Sequence, residues 1–448
     1  MTPGACFVAL HGEHQDGHHF IPQALARGAR AIIAEKGHAG GVGGCWLLDA
    51  TTPPPPLSAL SEVSLPLCVL VEDSLAALQR WAAYWRRQHP VRLIGVTGSV
   101  GKTVTREAIC SLLSRRFCTL ESEANYNNEI GLPLTLLRLT AQHERAVVEM
   151  GMYGLGEIAQ LAQMARPAVG VVTNVEPVHL ERLGTVERIA KAKRELVEAL
   201  PLDGTAVLNG DDQRVIAMAG YTKARILSYG RQPSCDVWAD QVVSQGLQGL
   251  RFRLHYGERI LDVQTPLLGC HSVYTALAAI AVGLAERLSL EEILAGLEGI
   301  RGQLRLVRLP GLKGSTLLDD TYNASPMSTI AALNLLQELP GRKIAVLGDM
   351  LELGDLEEEG HRRVGQRVAG VTDWLVVVGR LGRLIGEEAL AQGMDGARVL
   401  IVEEKQRAID RLRVLVREGD VVLVKGSRGM AMEEIVQELC LSGRRQEH

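Results

Sequence analysis

An apolar run over 91–96 breaks into Gly98-Ser99-Val100-Gly101-Lys102-Thr103 and then into a helical pattern over 102–116. A strand, a glycine turn and a helix in that order admit few folds. The turn opens at the end of a buried parallel strand, and the helix packs back on the sheet. Glycines let the backbone approach an anion, the turn amides aim at it, and the helix N-terminus adds positive potential. Lys102 would reach the β- and γ-phosphates of a nucleotide, and the Thr103 hydroxyl would ligate Mg²⁺. The usual spacing of such loops puts a glycine at position 96; here Val96 stands there and Gly98 supplies the first turn. The competing reading is a bare glycine turn before a helix.

The rest of the chain repeats the alternation. Before the loop come apolar runs at 6–10, 31–34 and 67–71, with helical stretches at 22–27 and 74–88. Ser74 reads as the cap of the second helix, and His89-Pro90 ends it. Residues 36–66, with a Gly-rich run and Pro53 to Pro56, read as largely irregular. After the loop, strands are expected at 146–149, 168–173 and 205–208, an antiparallel appendage at 235–265 and an apolar helix at 273–287. A last series at 315–318, 343–347, 374–378, 398–402 and 420–424 forms a Rossmann-like unit. The expected fold is α/β in three domains. These are a small N-terminal domain at 1–89, a central, mostly parallel nucleotide-loop domain at 90–302, and a C-terminal Rossmann-like domain at 303–448.

The chain has 448 residues, enough for real cores without disulfides or metals. Net charge is −4 and aromatics make up 4%, so neither a basic nucleic-acid face nor a base-stacking surface is expected. No run of about 18 apolar residues suggests membrane insertion. The N-terminus has no charged stretch followed by an apolar one, so no signal peptide is expected. Eight scattered cysteines without a Cys-x-x-Cys pair suit reduced thiols in a cytoplasm.

Several residues fall where α/β proteins bind ligands, at the C-terminal ends of strands. Glu149 ends one strand and His179 follows another; both lie within reach of a phosphate-bound Mg²⁺, or are ordinary caps. Asn125-Tyr126-Asn127-Asn128 is an amide-rich loop or a plain turn. On spacing, Lys191 and Lys193 read as solvated helix residues. His11, His14, His18 and His19 form no standard metal spacing and read as a polar loop. In the last unit, Asp319 to Pro326 and Lys425-Gly426-Ser427-Arg428-Gly429 each follow a strand, or are turns in which Asp and Ser cap helices.

Taken together and in order, these segments resemble the Mur ligases of peptidoglycan synthesis. Gly12 to Phe20 is similar to that family's uridine-nucleotide signature, Thr97 to Thr103 to its ATP loop, and Asn125 to Pro133 to its substrate loop. Glu149-Met150-Gly151, Thr173-Asn174 and His179-Leu180 resemble its metal segments. Ala192-Lys193-Arg194-Glu195-Leu196 is similar to the segment whose lysine is carbamylated. Asp319 to Pro326, Leu347 to Gly354, His361 and Lys425 to Arg428 resemble signatures of the branch that adds D-alanyl-D-alanine.

The resemblance implies a cytoplasmic, monomeric ligase. It would join D-alanyl-D-alanine to UDP-N-acetylmuramoyl-tripeptide with ATP, two Mg²⁺ and a carbamylated Lys193. It implies catalytic roles for Lys102, Glu149, His179 and Lys193, and metal ligation by Thr103, Glu149, His179 and Lys193. ATP would be held by Thr97, Gly98, Ser99, Val100, Gly101, Lys102, Thr103, His271 and Asp320. Substrates would be held by Asp16, His18, Asn127, Asn128, Tyr322, Asn323, Ser427 and Arg428.

The chain also departs from the pattern. The family's Asp-Ser-Arg segment would precede Met1, so either the start lies upstream or the first domain is trimmed. The family's His-Asn-x-x-Asn reads His271-Ser272-Val273-Tyr274-Thr275, and its Gly-Arg reads Gly302-Gln303, leaving Arg301 or Arg305 to supply the charge. Ser325 replaces a usual Asn. The alternatives are a ligase adding the third residue, one like folylpolyglutamate synthase, or a paralogue that binds nucleotide without turnover.

Overall fold

The computed structural model describes residues 2–12, 15–41, 45–52, 65–123, 126–177, 183–300 and 306–441. Strands and helices alternate throughout and gather into three sheets. Contacts divide the chain into two compact units: Met1–Pro90 with Asn125–Thr140, and Val91–Ala124 with Ala141–His448.

The first unit holds a four-stranded parallel sheet in the spatial order Cys6–Val8, Ala31–Glu35, Leu67–Val71, Trp46–Asp49. Ile32, Ala34, Cys68 and Leu70 meet Ile21 and Ala24 of the first helix in its core. The strand Trp46–Asp49 corrects the irregular reading of 36–66. It is a four-residue edge strand whose register, Trp46 opposite Leu67, comes from a neighbour rather than from local pattern. Residues 42–44 and 53–64 of that stretch lie outside the described residues. The helix Ser74–Arg87 is capped by Asp73, whose carboxylate accepts the Ala76 N–H at 2.8 Å; Ser74 is its first helical residue. Asp73 carries the extended backbone that a cap needs, and its charge suits the helix N-terminus.

The helix Gly131–Leu136 packs on Ser74–Arg87 within this unit. Gln79 Nε2 donates to Glu129 O at 3.1 Å, and Trp85 Nε1 donates to Leu139 O at 3.0 Å. A segment lying between two strands of the second unit thus belongs to the first.

The second unit holds two sheets. The nine-stranded one runs, in space, Arg259–Thr265, Leu250–Tyr256, Val237–Ser244, Arg225–Gly230, Thr205–Asn209, Val169–Val172, Arg92–Thr97, Arg145–Glu149, Thr119–Glu121. The first three are antiparallel to one another, as expected for 235–265. They extend the edge of the larger sheet, because Val237–Ser244 joins Arg225–Gly230 in parallel. The helices Lys102–Leu113 and Val273–Ala285 bury their apolar faces together in one core.

The six-stranded sheet runs Val307–Pro310, Thr316–Asp320, Val421–Lys425, Lys343–Gly348, Trp374–Val378, Val399–Val402. Only the first is antiparallel, and apolar cores cover both faces. This is the doubly wound arrangement, with ligand-facing loops at the carboxyl ends of strands.

His361 on the helix Glu357–Ala369 fixes one of those loops. It is fully buried; Nδ1 donates to Glu357 O at 2.6 Å, and Nε2 accepts the Met350 N–H at 2.9 Å. An imidazole accepting at one nitrogen must be neutral. Burial pushes its pKa below the ordinary 6.5, against the opposing pull of the Glu357 carbonyl and Asp349. The folded state therefore binds this proton less readily than the unfolded chain. Its stabilising contribution is whole above pH 6.5 and is lost as pH falls through the folded pKa. The melting temperature of His361→Gln is accordingly expected to fall less than that of the parent between pH 7 and pH 5, roughly two units across the ordinary histidine range. Parallel pH–temperature scans of the two proteins measure this.

Candidate active site

The strand Arg92–Thr97 delivers the chain to the loop. Thr97 is buried, and its hydroxyl donates to Met150 O at 2.8 Å, joining this strand to the end of Arg145–Glu149. Gly98 has φ of 152°, and a Cβ there would lie 1.8 Å from Thr173 Oγ1. Only a residue without a side chain fits. Gly101, with φ of 83°, caps the helix Lys102–Leu113.

Thr173 and Asn174 lace the turn. Asn174 Oδ1 accepts the Val100 N–H at 2.8 Å, and its Nδ2 donates to Val100 O at 3.0 Å. The Thr173 hydroxyl donates to the same carbonyl at 2.8 Å, and Ser99 N donates to Asn174 O at 3.0 Å. Ser99 Oγ accepts the Glu176 N–H at 2.8 Å and donates to Glu176 O at 3.0 Å. Lys102 Nζ donates to Gly98 O at 2.9 Å and to Ser99 O at 3.3 Å, so its ammonium lies over the turn.

Glu149 and Thr103 meet beside it. They are 2% and 6% exposed, and Thr103 Oγ1 donates to Glu149 Oε2 at 2.8 Å. A hydroxyl and a carboxylate paired next to an anion-binding turn are the hard oxygen donors that Mg²⁺ takes. The residues present therefore fit that ion. Arg106, one turn into the helix and buried, braces the strand Thr119–Glu121. It donates to Ser122 O at 2.7 Å and pairs with Glu121 at 3.1 Å.

Lys193 corrects its reading as a solvated residue. Lys191 is exposed, but Lys193 is 2% exposed on the helix Val186–Glu198. It stands four residues after Ile189 and three before Leu196, inside the apolar stripe. Burial and, secondarily, the nearby Lys102 charge hold its pKa well below the usual lysine range. His179, Arg301, Gln303 and Arg305 lie outside the described residues.

At the rim of the six-stranded sheet, Lys425 Nζ donates to Asp320 Oδ2 at 2.7 Å and to Asn323 O at 2.8 Å. Both charged groups are buried. The Arg428 guanidinium stands 5.3 Å from the centre of the Tyr322 ring, and Asn323 is exposed beside it. Ser427 occupies the N-cap position of the short turn Arg428–Met430 but makes no side-chain cap bond: its buried hydroxyl instead accepts the Leu351 N–H at 2.9 Å, which fixes the adjoining loop. Ser325 is a cap, in a capping box with Ser328 and with Pro326 next. His271 opens on a hollow of about 570 Å³ that it shares with Leu335, Glu338 and Arg367. Desolvation of its ring, and then the Lys425 charge, lower its imidazole pKa.

In the first unit, Asp16 Oδ1 accepts the His18 N–H at 2.9 Å and His18 Nδ1–H at 2.6 Å. That backbone hydrogen bond leads the causes that bring the Asp16 pKa down to about 2. Asn128 Oδ1 accepts the Gly131 N–H at 2.9 Å and starts the helix Gly131–Leu136; Asn127 stands next to it.

The structure thus gathers Thr97 to Thr103, Glu149 and Lys193 in one place, and Asp320, Tyr322, Asn323, Ser427 and Arg428 in another. Sequence reasoning missed Arg106 as a brace and Lys425 as a buried ion-pair partner. Each had a signal. Arg106 stands on the apolar stripe of its helix, three residues before Ile109 and seven before Leu113, and Lys425 terminates an otherwise apolar strand.

Family models match along the chain: the Mur ligase family catalytic domain over residues 1–43, the Mur ligase middle domain over 96–283, and the Mur ligase glutamate ligase domain over 304–428. The UDP-N-acetylmuramoyl-tripeptide–D-alanyl-D-alanine ligase of Bacillus subtilis is 37% identical over 437 residues, 97% of this chain and 90% of that protein. A crystal structure of MurF from Acinetobacter baumannii superposes with a TM-score of 0.82 at 31% identity, covering 98% of this chain and 91% of that one. MurF from Thermotoga maritima, solved in complex with ADP, gives a TM-score of 0.79 at 27% identity over 98% and 94% of the two chains. The chain belongs to the Mur ligase family.

Two substitutions probe this geometry. Gly98→Ala forces the loop away from Thr173 and is expected to weaken ATP binding about 10²-fold, read by nucleotide titration. Lys425→Met strands the buried Asp320 carboxylate and is expected to lower stability by about 3–5 kcal/mol in denaturant unfolding. Adding Asp320→Asn to it should recover much of that loss.

Proposed function

We propose that this chain is an ATP-dependent amide ligase that joins D-alanyl-D-alanine to UDP-N-acetylmuramoyl-tripeptide in the cytoplasm, acting as a monomer. The observation that carries the reading is the laced turn at Gly98–Gly101 with the Thr103–Glu149 oxygen pair beside it. The full-length likeness to ligases named for this reaction supports it. In this proposal, residues 1–89 receive the uridine nucleotide through Asp16 and His18, with Asn127 and Asn128 completing the substrate site. Residues 90–302 hold ATP, with His271 and Asp320 at its edge. Residues 303–448 receive the dipeptide through Tyr322, Asn323, Ser427 and Arg428.

A carboxylate is a poor acylating agent. Its oxygen attacks the γ-phosphorus, ADP leaves, and an acyl phosphate forms. The dipeptide amine then attacks the acyl carbon, loses a proton, and phosphate departs. The protein's work is positioning and charge neutralisation. The turn amides and Lys102 offset the repulsion between the γ-phosphate and the substrate carboxylate. Thr103 and Glu149 would hold one Mg²⁺, and Lys193 with His179 a second; such ions would supply Lewis-acid stabilisation of phosphoryl charge.

Lys193 suits this role only as an anion. Its lowered pKa favours the free amine, which adds to CO₂ and loses a proton to become a carbamate. The modification replaces a cation with an oxygen ligand. Lys193→Ala is therefore expected to lose most turnover and regain part of it with short carboxylic acids. Full activity without any acid would remove the carbamate from the scheme.

Purified protein should release phosphate from ATP only when both UDP-N-acetylmuramoyl-tripeptide and D-alanyl-D-alanine are present. Dependence on a free amino acid instead would favour the third-residue-adding or folylpolyglutamate-type alternative. ATP binding without turnover on any pair would favour a nucleotide-binding paralogue.

A further inference from the structure

The first unit gathers a second set of donors. His11 follows the first strand and forms an antiparallel bridge with Asp16. Glu35 ends the strand Ala31–Glu35, and His38 follows in the next turn. One ligand atom from each of His11, His18, Glu35 and His38 lies within 4.8 Å of every other. His11 Nε2 stands 3.1 Å from Glu35 Oε2, and His38 Nε2 stands 3.3 Å from Asp16 Oδ2. The His38 Nδ1 is buried and has no hydrogen-bond partner among the described residues. Donors around a tetrahedral Zn²⁺ with bonds of about 2.0–2.1 Å are separated by about 3.3 Å. Side-chain shifts of at most about 1.5 Å between any two donors would close this set.

The four atoms are not equivalent. His18 is committed at both nitrogens: Nδ1 donates to Asp16, and Nε2 accepts the Glu35 N–H at 3.0 Å. It holds Asp16 and the end of the Glu35 strand in register and has no lone pair to spare. His11, Glu35 and His38 are partly exposed, so an ion can reach them. Two imidazoles and a carboxylate, with a second carboxylate adjacent, suit zinc-like ions over Mg²⁺ or Ca²⁺.

We propose that His11, Glu35 and His38 form a three-ligand transition-metal site in the N-terminal unit, positioned by the same Asp16–His18 pair that the proposed function gives to the uridine nucleotide. The ion is of the Zn²⁺ class, and it staples the loop after the first strand to the end of the second. The site is independent of the oxygen pair at Thr103 and Glu149. The sequence hid it because no Cys accompanies the histidines, and Glu35 and His38 lie more than twenty residues from His11.

Untagged full-length protein, stripped with a chelator, tests this with Co²⁺ as the probe. The expected result is a saturable visible d–d spectrum at one Co²⁺ per chain, without the near-ultraviolet thiolate band that the cysteines would give. Zn²⁺ should displace it and raise the melting temperature. His11→Gln combined with His38→Gln, and separately Glu35→Gln, should weaken binding by more than about 100-fold. His18→Gln should weaken it by about 10–100-fold. Glu149→Gln should leave it unchanged. Circular dichroism of each variant reports its folding, and the titration of the parent stands whatever the variants do. No saturable one-to-one binding, a thiolate-dominated spectrum, or binding indifferent to His11 and His38 would overturn the site.

Discussion

The hydrogen bonds from Thr173 and Asn174 to the Val100 peptide are the constraint on which the site rests. They exist because the strands Arg92–Thr97 and Val169–Val172 are parallel neighbours, with Thr97 opposite Val172. Parallel register brings the two strand ends to the same rim, so the residues just past one end can clasp those just past the other. The neighbour on the other side, Arg145–Glu149, pairs Val96 with Glu149 and so brings the carboxylate beside Thr103. Three adjacent strand ends thereby set the loop, its clasp and its oxygen pair. Interior sheet hydrogen bonds hold all three, which is how a short glycine turn keeps one shape.

Buried charge separates the parts of the molecule that are settled from those that await a partner. Lys425 and Asp320 are buried together, and each neutralises the other. Arg92 and Arg145 share the buried Glu286 at 2.9 and 2.6 Å, closing the far end of the sheet. Lys193 differs. Among the described residues no anion reaches its amine, and burial first, then the Lys102 charge, disfavour its charged form. The same helix that contributes core residues thus also buries an amine whose charge nothing described offsets.

Much of this was legible in the chain. The loop over 98–103 states its own surroundings, because glycine, lysine and threonine in that order are useful only between a strand and a helix. The nearly continuous apolar runs of the two large sheets also mark themselves, since parallel strands are buried on both faces. Other features depend on partners far away in sequence. The edge strand Trp46–Asp49 exists because Leu67–Val71 is there to bond with it. Lys193 reads as solvated when lysine identity is weighed first, and as buried when the spacing of Ile189 and Leu196 is. The roles of Ser427 and His361 as clamps on loop amides follow from hydrogen bonds across loops that no local pattern announces.

The helix Gly131–Leu136 carries a consequence for biosynthesis. The unit Met1–Pro90 is completed by Asn125–Thr140, so the peptide leaves that unit, builds a strand, a helix and another strand elsewhere, and returns. A ribosome that has delivered the first ninety residues has not delivered the partners of Gln79 and Trp85. The nascent N-terminal unit stays incomplete until the interrupting stretch has emerged, which couples the maturation of the two lobes in time. Cutting the gene at residue 90 would likewise yield a fragment with one flank of its longest helix bare.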